Sequence, residues 1–269
     1  MIIGNRTFNT AEEAYIMGIL NVTPDSFSDG GKWNSLDAAL KRTEQMIKEG
    51  ADIIDIGGES TRPGHEKISE EEEISRTAPI IEAVKERFDI PISLDTYKTK
   101  VAKCGIEAGA DLINDIWGLK WDDCLAHVIA ESGMPCCLMH NRRQPDYQDF
   151  IPDMLDDLRE TLSIAKEAGI AEEKIILDPG VGFGKTYENN LEAINRLEEM
   201  QKLGYPILLG TSRKSVIGLT LDLPKDQREE GTLVTTVLAA QAHCGFVRVH
   251  DVEKNVRAIK MMEAINGVR

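Results

Sequence analysis

The sequence predicts an α/β protein, a single (β/α)8 barrel domain covering residues 1–269. Three observations carry this. Short apolar runs alternate with long amphipathic stretches from one end of the chain to the other, the pattern of repeated βα units on a parallel sheet. There are eight such runs, their C-terminal ends are spaced about 32 residues apart, the length of one βα unit, and no linker interrupts them. Polar residues gather where the runs stop.

The predicted strands are 16–21, 52–56, 92–95, 112–115, 135–140, 174–178, 206–210 and 246–250. Helical patterns fall at 35–49, 70–88, 99–109, 122–132, 152–169, 188–203, 229–243 and 253–266. Ser69 followed by Glu72 reads as a capping box, and Gly50, Gly109, Gly133, Gly169 and Gly204 stand where helices should stop. Asn21, Asp55, Asp95, Asn114, Asp115, His140, Asp178, Thr211, Arg248 and His250 lie at or just beyond strand ends. In a barrel these ends form one rim, which holds the active site. A carboxylate after a strand can instead cap the next helix, but ten such positions on one rim favour a site.

Composition narrows the function. With 46 acidic against 31 basic side chains and a net charge of −15, nucleic acid is not an expected partner. A hydrophobic content of 42% over 269 residues supports a core without staples. The five cysteines lack CxxC or Cys/His spacing, so they are expected to be packed thiols in a reducing cytoplasm. The start, Met1-Ile-Ile-Gly-Asn-Arg6, has no signal-peptide pattern, and no run of eighteen apolar residues occurs. Neither export nor membrane insertion is therefore expected.

Two familiar motifs fail. Gly182-Phe-Gly-Lys-Thr186 resembles the end of a nucleotide P-loop, but Pro179 stands where its first glycine belongs, and Lys185 breaks the dinucleotide pattern. The segments after the first two strands, Asn21 to Ser35 and Glu59 to His65, are longer than usual βα connections, and Gly30-Gly31 could serve as a hinge. Gly210-Thr-Ser-Arg-Lys-Ser215 puts a lysine on the rim and a serine near the start of the next helix, suited to an anion. Arg248 and His250 alternate, hence share a face. The predicted pocket has a base of Asp95, Asn114 and Asp178, which favours a ligand rich in N–H donors. Its rim of Arg62, Lys214, Arg248 and His250 favours an anion. A donor-rich heterocycle carrying a phosphate or diphosphate, such as a pterin or guanine, meets both demands.

These residues resemble one family along nearly the whole chain, the bacterial dihydropteroate synthases, which are pterin-binding barrels. The shared segments include Gly18 to Gly31, Gly57 to Gly64, Ser93 to Thr96, Asn114 to Ile116, Met139-His140, Leu177 to Gly184, Gly210 to Ser215 and Arg248 to Asp251. The resemblance implies condensation of a dihydropterin methyl diphosphate with p-aminobenzoate, with Mg2+, in folate biosynthesis. It implies pterin on Asp95, Asn114, Asp178 and Lys214, and diphosphate on Asn21, Arg62, Arg248 and His250, with Asn21 also toward the metal. It implies p-aminobenzoate against Thr61, Pro63, Phe183, Lys214 and Ser215, and Phe27 and Asp29 on a closing first loop. Lys214, Arg248, His250 and Asp95 are the implied catalytic residues, a homodimer is the implied assembly, and sulfonamides the implied competitors. Two alternatives share the pocket: a pterin-dependent methyltransferase serving a corrinoid protein, and a silent pterin-binding paralogue. The Thr61-Arg62-Pro63, Arg213-Lys214-Ser215 and Arg248-Val-His250 segments favour the synthase, since a methyltransferase needs neither a diphosphate site nor an aminobenzoate clamp.

Overall fold

Strands rich in β-branched residues and buried on both faces form parallel sheets, and here eight of them close into a barrel. The computed structural model describes residues 1–23, 32–60 and 67–267, with 32–35 described by backbone alone. The barrel strands are β3 (Tyr15–Asn21), β4 (Ile53–Gly57), β5 (Ile92–Asp95), β6 (Leu112–Asp115), β7 (Cys136–Met139), β8 (Ile175–Asp178), β9 (Leu208–Leu209) and β10 (Phe246–Val249). They pair in sequence order, and β10 returns to lie between β3 and β9. A Leu177–Ile207 bridge, with Leu177 N donating to the Pro206 carbonyl at 2.9 Å, joins β8 to β9. The ring of eight matches the expected architecture.

Around it lie α1 (Lys32–Glu49), α2 (Glu70–Arg87), α3 (Thr99–Ala108), α4 (Leu125–Ser132), α5 (Phe150–Ala168), α6 (Tyr187–Asn195), α7 (Leu197–Gln201), α8 (Ser215–Leu221), α9 (Glu229–Gln241) and α10 (Val252–Gly267). Gly109, Gly133 and Gly169 end α3, α4 and α5 in the left-handed conformation, as their positions predicted. Ser69 caps α2 by accepting from Glu72 N at 3.1 Å, while the Glu72 carboxylate turns to Arg76. The predicted helix 188–203 is broken at Arg196, which leaves helical geometry at φ −121°. The fourth helix starts three residues late because Asp122 instead accepts from Cys124 N and Thr99 N. Features outside the strand and helix spans drawn from the sequence include α8, a 3-10 turn at Lys225–Gln227, and an antiparallel hairpin of β1 (Ile2–Ile3) and β2 (Arg6–Thr7).

Alternation along the strands stacks the barrel interior in layers. Met17, Ile53, Leu112, Cys137, Ile176, Leu208 and Phe246 form an apolar lower layer, sealed from beneath by Ile3 of the hairpin and Phe8 just after it. Two residues further along, the inward positions become Ile19, Asp55, Asn114, Met139, Asp178, Gly210 and Arg248. Charge and hydrogen-bonding groups thus enter the interior at this level, on the strands that carry Asp55, Asn114, Asp178 and Arg248. Between barrel and helices lies the larger core of Ile, Leu and Val side chains.

Candidate active site

Arg248 organises the polar layer. Its guanidinium donates from Nε to Asp55 Oδ2 at 2.7 Å and from Nη2 to Asp95 Oδ2 at 2.8 Å, with Nη2 also 2.6 Å from Asp55 Oδ2. Asp55 is fully buried and also accepts from Ser93 Oγ at 2.5 Å and Asn114 Nδ2 at 3.3 Å. Burial opposes the charge on Arg248, but Asp55 and Asp95 raise its pKa above the usual arginine range. Asp95 Oδ1 is buried with no hydrogen-bond partner. Burial pushes the Asp95 carboxyl up to about 7, against the lowering influence of Arg248. A side chain at Gly210 would put its Cβ 3.7 Å from Asp178 Oδ2 and 3.9 Å from Arg248 Cβ, so the two predicted ends of the site face one cup.

The second wall is the segment after β8. Asp178 Oδ1 accepts from Gly180 N at 2.6 Å, and burial raises the carboxyl against the opposing pull of Lys214. Lys214 Nζ donates to the Val181 carbonyl and lies 4.7 Å from the centroid of the Phe183 ring. Burial lowers Lys214 to about 8, with Asp178 acting in the opposite sense. Phe183 packs against Tyr97, Ile116 and Met139, an apolar face fit for a second aromatic ring. Donor-hungry carboxylates, a softened lysine and this face together accommodate a flat, N–H-rich ligand with an aromatic neighbour.

The structure thus brings Asp95, Asn114, Asp178, Lys214, Phe183 and Arg248 together. It amends the reading of Arg248, which reaches inward to two carboxylates rather than standing open on the rim. His250 N and Nδ1 contact Ser212 Oγ at 3.2 and 3.0 Å, and Ser215 is exposed at the start of α8. Asn21 shares a register row with Gly57 and, through it, Asp95. Thr61, Arg62, Pro63, Phe27 and Asp29 lie outside the described residues. Sequence reasoning placed Asp55 on the rim without a role and set Lys185 aside with the rejected P-loop. The inward alternation of β4, Ile53 then Asp55, was the available signal for the first.

A family model described as "Pterin binding enzyme" matches residues 17–250. A dihydropteroate synthase from Clostridium beijerinckii is 63% identical over 98% of this chain and 99% of its own. A structure of the Clostridium difficile dihydropteroate synthase in the presence of pteroic acid superposes with a TM-score of 0.94 at 49% identity, covering 96% of this chain and 99% of that one. The Xanthomonas albilineans enzyme with 4-aminobenzoic acid gives 0.92 at 39% identity, covering 96% and 95%. On a match of this extent, over barrel and pocket alike, the chain belongs to the pterin-binding enzymes, among the dihydropteroate synthases.

Proposed function

We propose that this barrel mouth condenses (7,8-dihydropterin-6-yl)methyl diphosphate with p-aminobenzoate, giving 7,8-dihydropteroate and diphosphate by an SN1-like displacement. The supporting observation is the buried, unpaired Asp95 Oδ1, which requires an N–H donor or a proton. A pterin presents an amino group and ring N–H groups on one edge. Asp95, Asn114 and Asp178 would read that edge, with Lys214 at the ring carbonyl and nitrogen. Arg248 Nη1 makes no hydrogen bond with any described residue, so it remains for a diphosphate oxygen, together with Arg62 and His250.

Mg2+ fits the same arrangement. The Asn21 carboxamide makes no hydrogen bond with a described residue, and among the described residues no three His, Cys, Asp or Glu side chains cluster as ligands. The Asn21 side-chain oxygen suits an ion held chiefly by substrate phosphates. When bound it would offset charge on the departing diphosphate. The C–O bond to diphosphate breaks first, and the electron-rich dihydropterin spreads the positive charge of the methylene carbon. Thr61, Pro63, Phe183, Lys214 and Ser215 would hold p-aminobenzoate for attack, with Phe27 and Asp29 joining from the first loop. The weakly basic amine needs positioning rather than a strong general base, and no covalent enzyme intermediate forms.

Leu191, Leu219, Leu221, Val234 and Leu238 form an exposed apolar strip on α6, α8 and α9, between 41% and 67% exposed, which supports a homodimer through these helices. No helix among the described residues is long and apolar enough to cross a membrane, and we place the reaction in the cytoplasm. Mixing the protein with the dihydropterin diphosphate, p-aminobenzoate and Mg2+ should release diphosphate. No release would leave the corrinoid-linked methyltransferase reading standing. Sedimentation should give a dimer that Leu238→Lys dissociates.

A further inference from the structure

The Phe183 segment rests on a half-buried lysine that the reaction as written does not use. Lys185 Nζ donates to His140 Nδ1 at 2.8 Å, the Gly180 carbonyl at 3.0 Å and the Phe183 carbonyl at 3.1 Å. Three acceptors match the three N–H groups of an ammonium. Because Nδ1 accepts, the His140 proton sits on Nε2, which donates to Asp157 Oδ2 at 2.9 Å. Arg142 completes the chain, donating to Asp157 from Nε at 2.6 Å and Nη2 at 3.2 Å. The His140 side chain has no exposed surface. His140, just after β7, thereby holds the lysine and is itself held by Asp157 on α5, and the lysine grips both ends of the turn 180–183.

The turn has no freedom to sit elsewhere. Gly180, Gly182 and Gly184 have φ of +67°, +89° and +52°. A Cβ would fall 1.9 Å from the His140 carbonyl oxygen at Gly180 and 2.2 Å from the Arg142 carbonyl oxygen at Gly184. The segment therefore lies directly on the connection after β7, where Lys185 supplies its side-chain anchor.

We infer that Lys185 is a positioning residue: it fixes Phe183 against Tyr97, Ile116 and Met139 and so sets the affinity for p-aminobenzoate, with His140 and Asp157 holding the lysine in place. This rests on Phe183 being the aminobenzoate clamp. Lys185→Met should raise the KM for p-aminobenzoate at least tenfold, with kcat and the KM for the dihydropterin diphosphate within threefold of the parent. His140→Asn keeps an acceptor for the lysine and should stay within threefold throughout, whereas His140→Leu should repeat the Lys185→Met defect. Should Lys185→Met fail to fold, His140→Leu carries the same readouts. Adding Lys185→Met to Phe183→Ala should raise the aminobenzoate KM by less than threefold further, because the lysine acts through that ring.

Hydrogen exchange reads the anchoring without substrate: amides 180–185 should exchange at least tenfold faster in Lys185→Met while the rest of the barrel is unchanged. Faster exchange in a protein whose parent has no synthase activity would leave the anchor standing and remove the proposed reaction. Unchanged exchange at 180–185, or both KM values rising together, would overturn the assignment.

Discussion

Replacing Arg248 by methionine separates two descriptions of this residue. As an open rim cation for the diphosphate, it could be lost with little effect on the empty protein. As found, it bridges Asp55 and Asp95, with side-chain exposures of 18%, 0% and 6%. Removing the cation strands buried carboxylates, and breaking a buried pair in this way costs about 3–5 kcal/mol. With an unfolding entropy of about 2.1 cal/mol/K per residue over 269 residues, the melting temperature should fall by roughly 5–9 °C. Urea unfolding should show the same loss, and Asp55→Asn combined with Arg248→Met should recover part of it by removing one stranded charge. Turnover should drop by about two orders of magnitude if the arginine also contributes roughly 3 kcal/mol at the leaving group. A melting temperature within one degree of the parent would refute the bridging account.

Three further outcomes follow from the same geometry. The Asp95 carboxyl rises from 3.8 to about 7 by burial, so between those values the unfolded chain releases a proton that the folded chain keeps. Stability relative to Asp95→Asn should be greatest below about pH 4 and decline as pH rises through 7, and urea midpoints at pH 4.5 and 8 with no such decline would contradict this. Lys98 Nζ donates to Glu59 Oε2 at 2.6 Å and the Ile68 carbonyl at 2.9 Å and ion-pairs with Glu73 Oε2 at 2.7 Å, among nearly buried groups. Lys98→Met should therefore cost about 3–5 kcal/mol in denaturant titration. Gly180→Ala combines a left-handed backbone with a Cβ 1.9 Å from a carbonyl oxygen, so thermal melting should show a loss above about 3 kcal/mol.

The barrel was legible because its evidence is periodic. Residues 92–95 and 112–115 form strands over the predicted spans, and Asp95 and Asn114 point into the predicted cup, whereas Asp115 turns the other way to accept from Trp117 N and Leu119 N. The Arg248–Asp55 bridge was not legible: 193 residues separate the partners, and only the curl of the closed sheet decides how far a long arginine reaches. Lys185 carried a misleading context, since glycines before a lysine suggest a nucleotide phosphate while here they let the backbone lie against the connection after β7. The hairpin escaped because two-residue strands give alternation too little length to register. Arg196 interrupts a helix whose amphipathic pattern runs on without a break.

The apolar plug formed by Ile3 and Phe8 beneath the barrel has a consequence for traffic. Closed at the bottom among the described residues, the chamber opens toward the C-terminal ends of its strands. On the proposed reading, with the heterocycle on Asp95, Asn114 and Asp178 at the base and the amine beside Phe183, the heterocycle should bind before the amine. A finished product should then back out past the residues that admitted its parts.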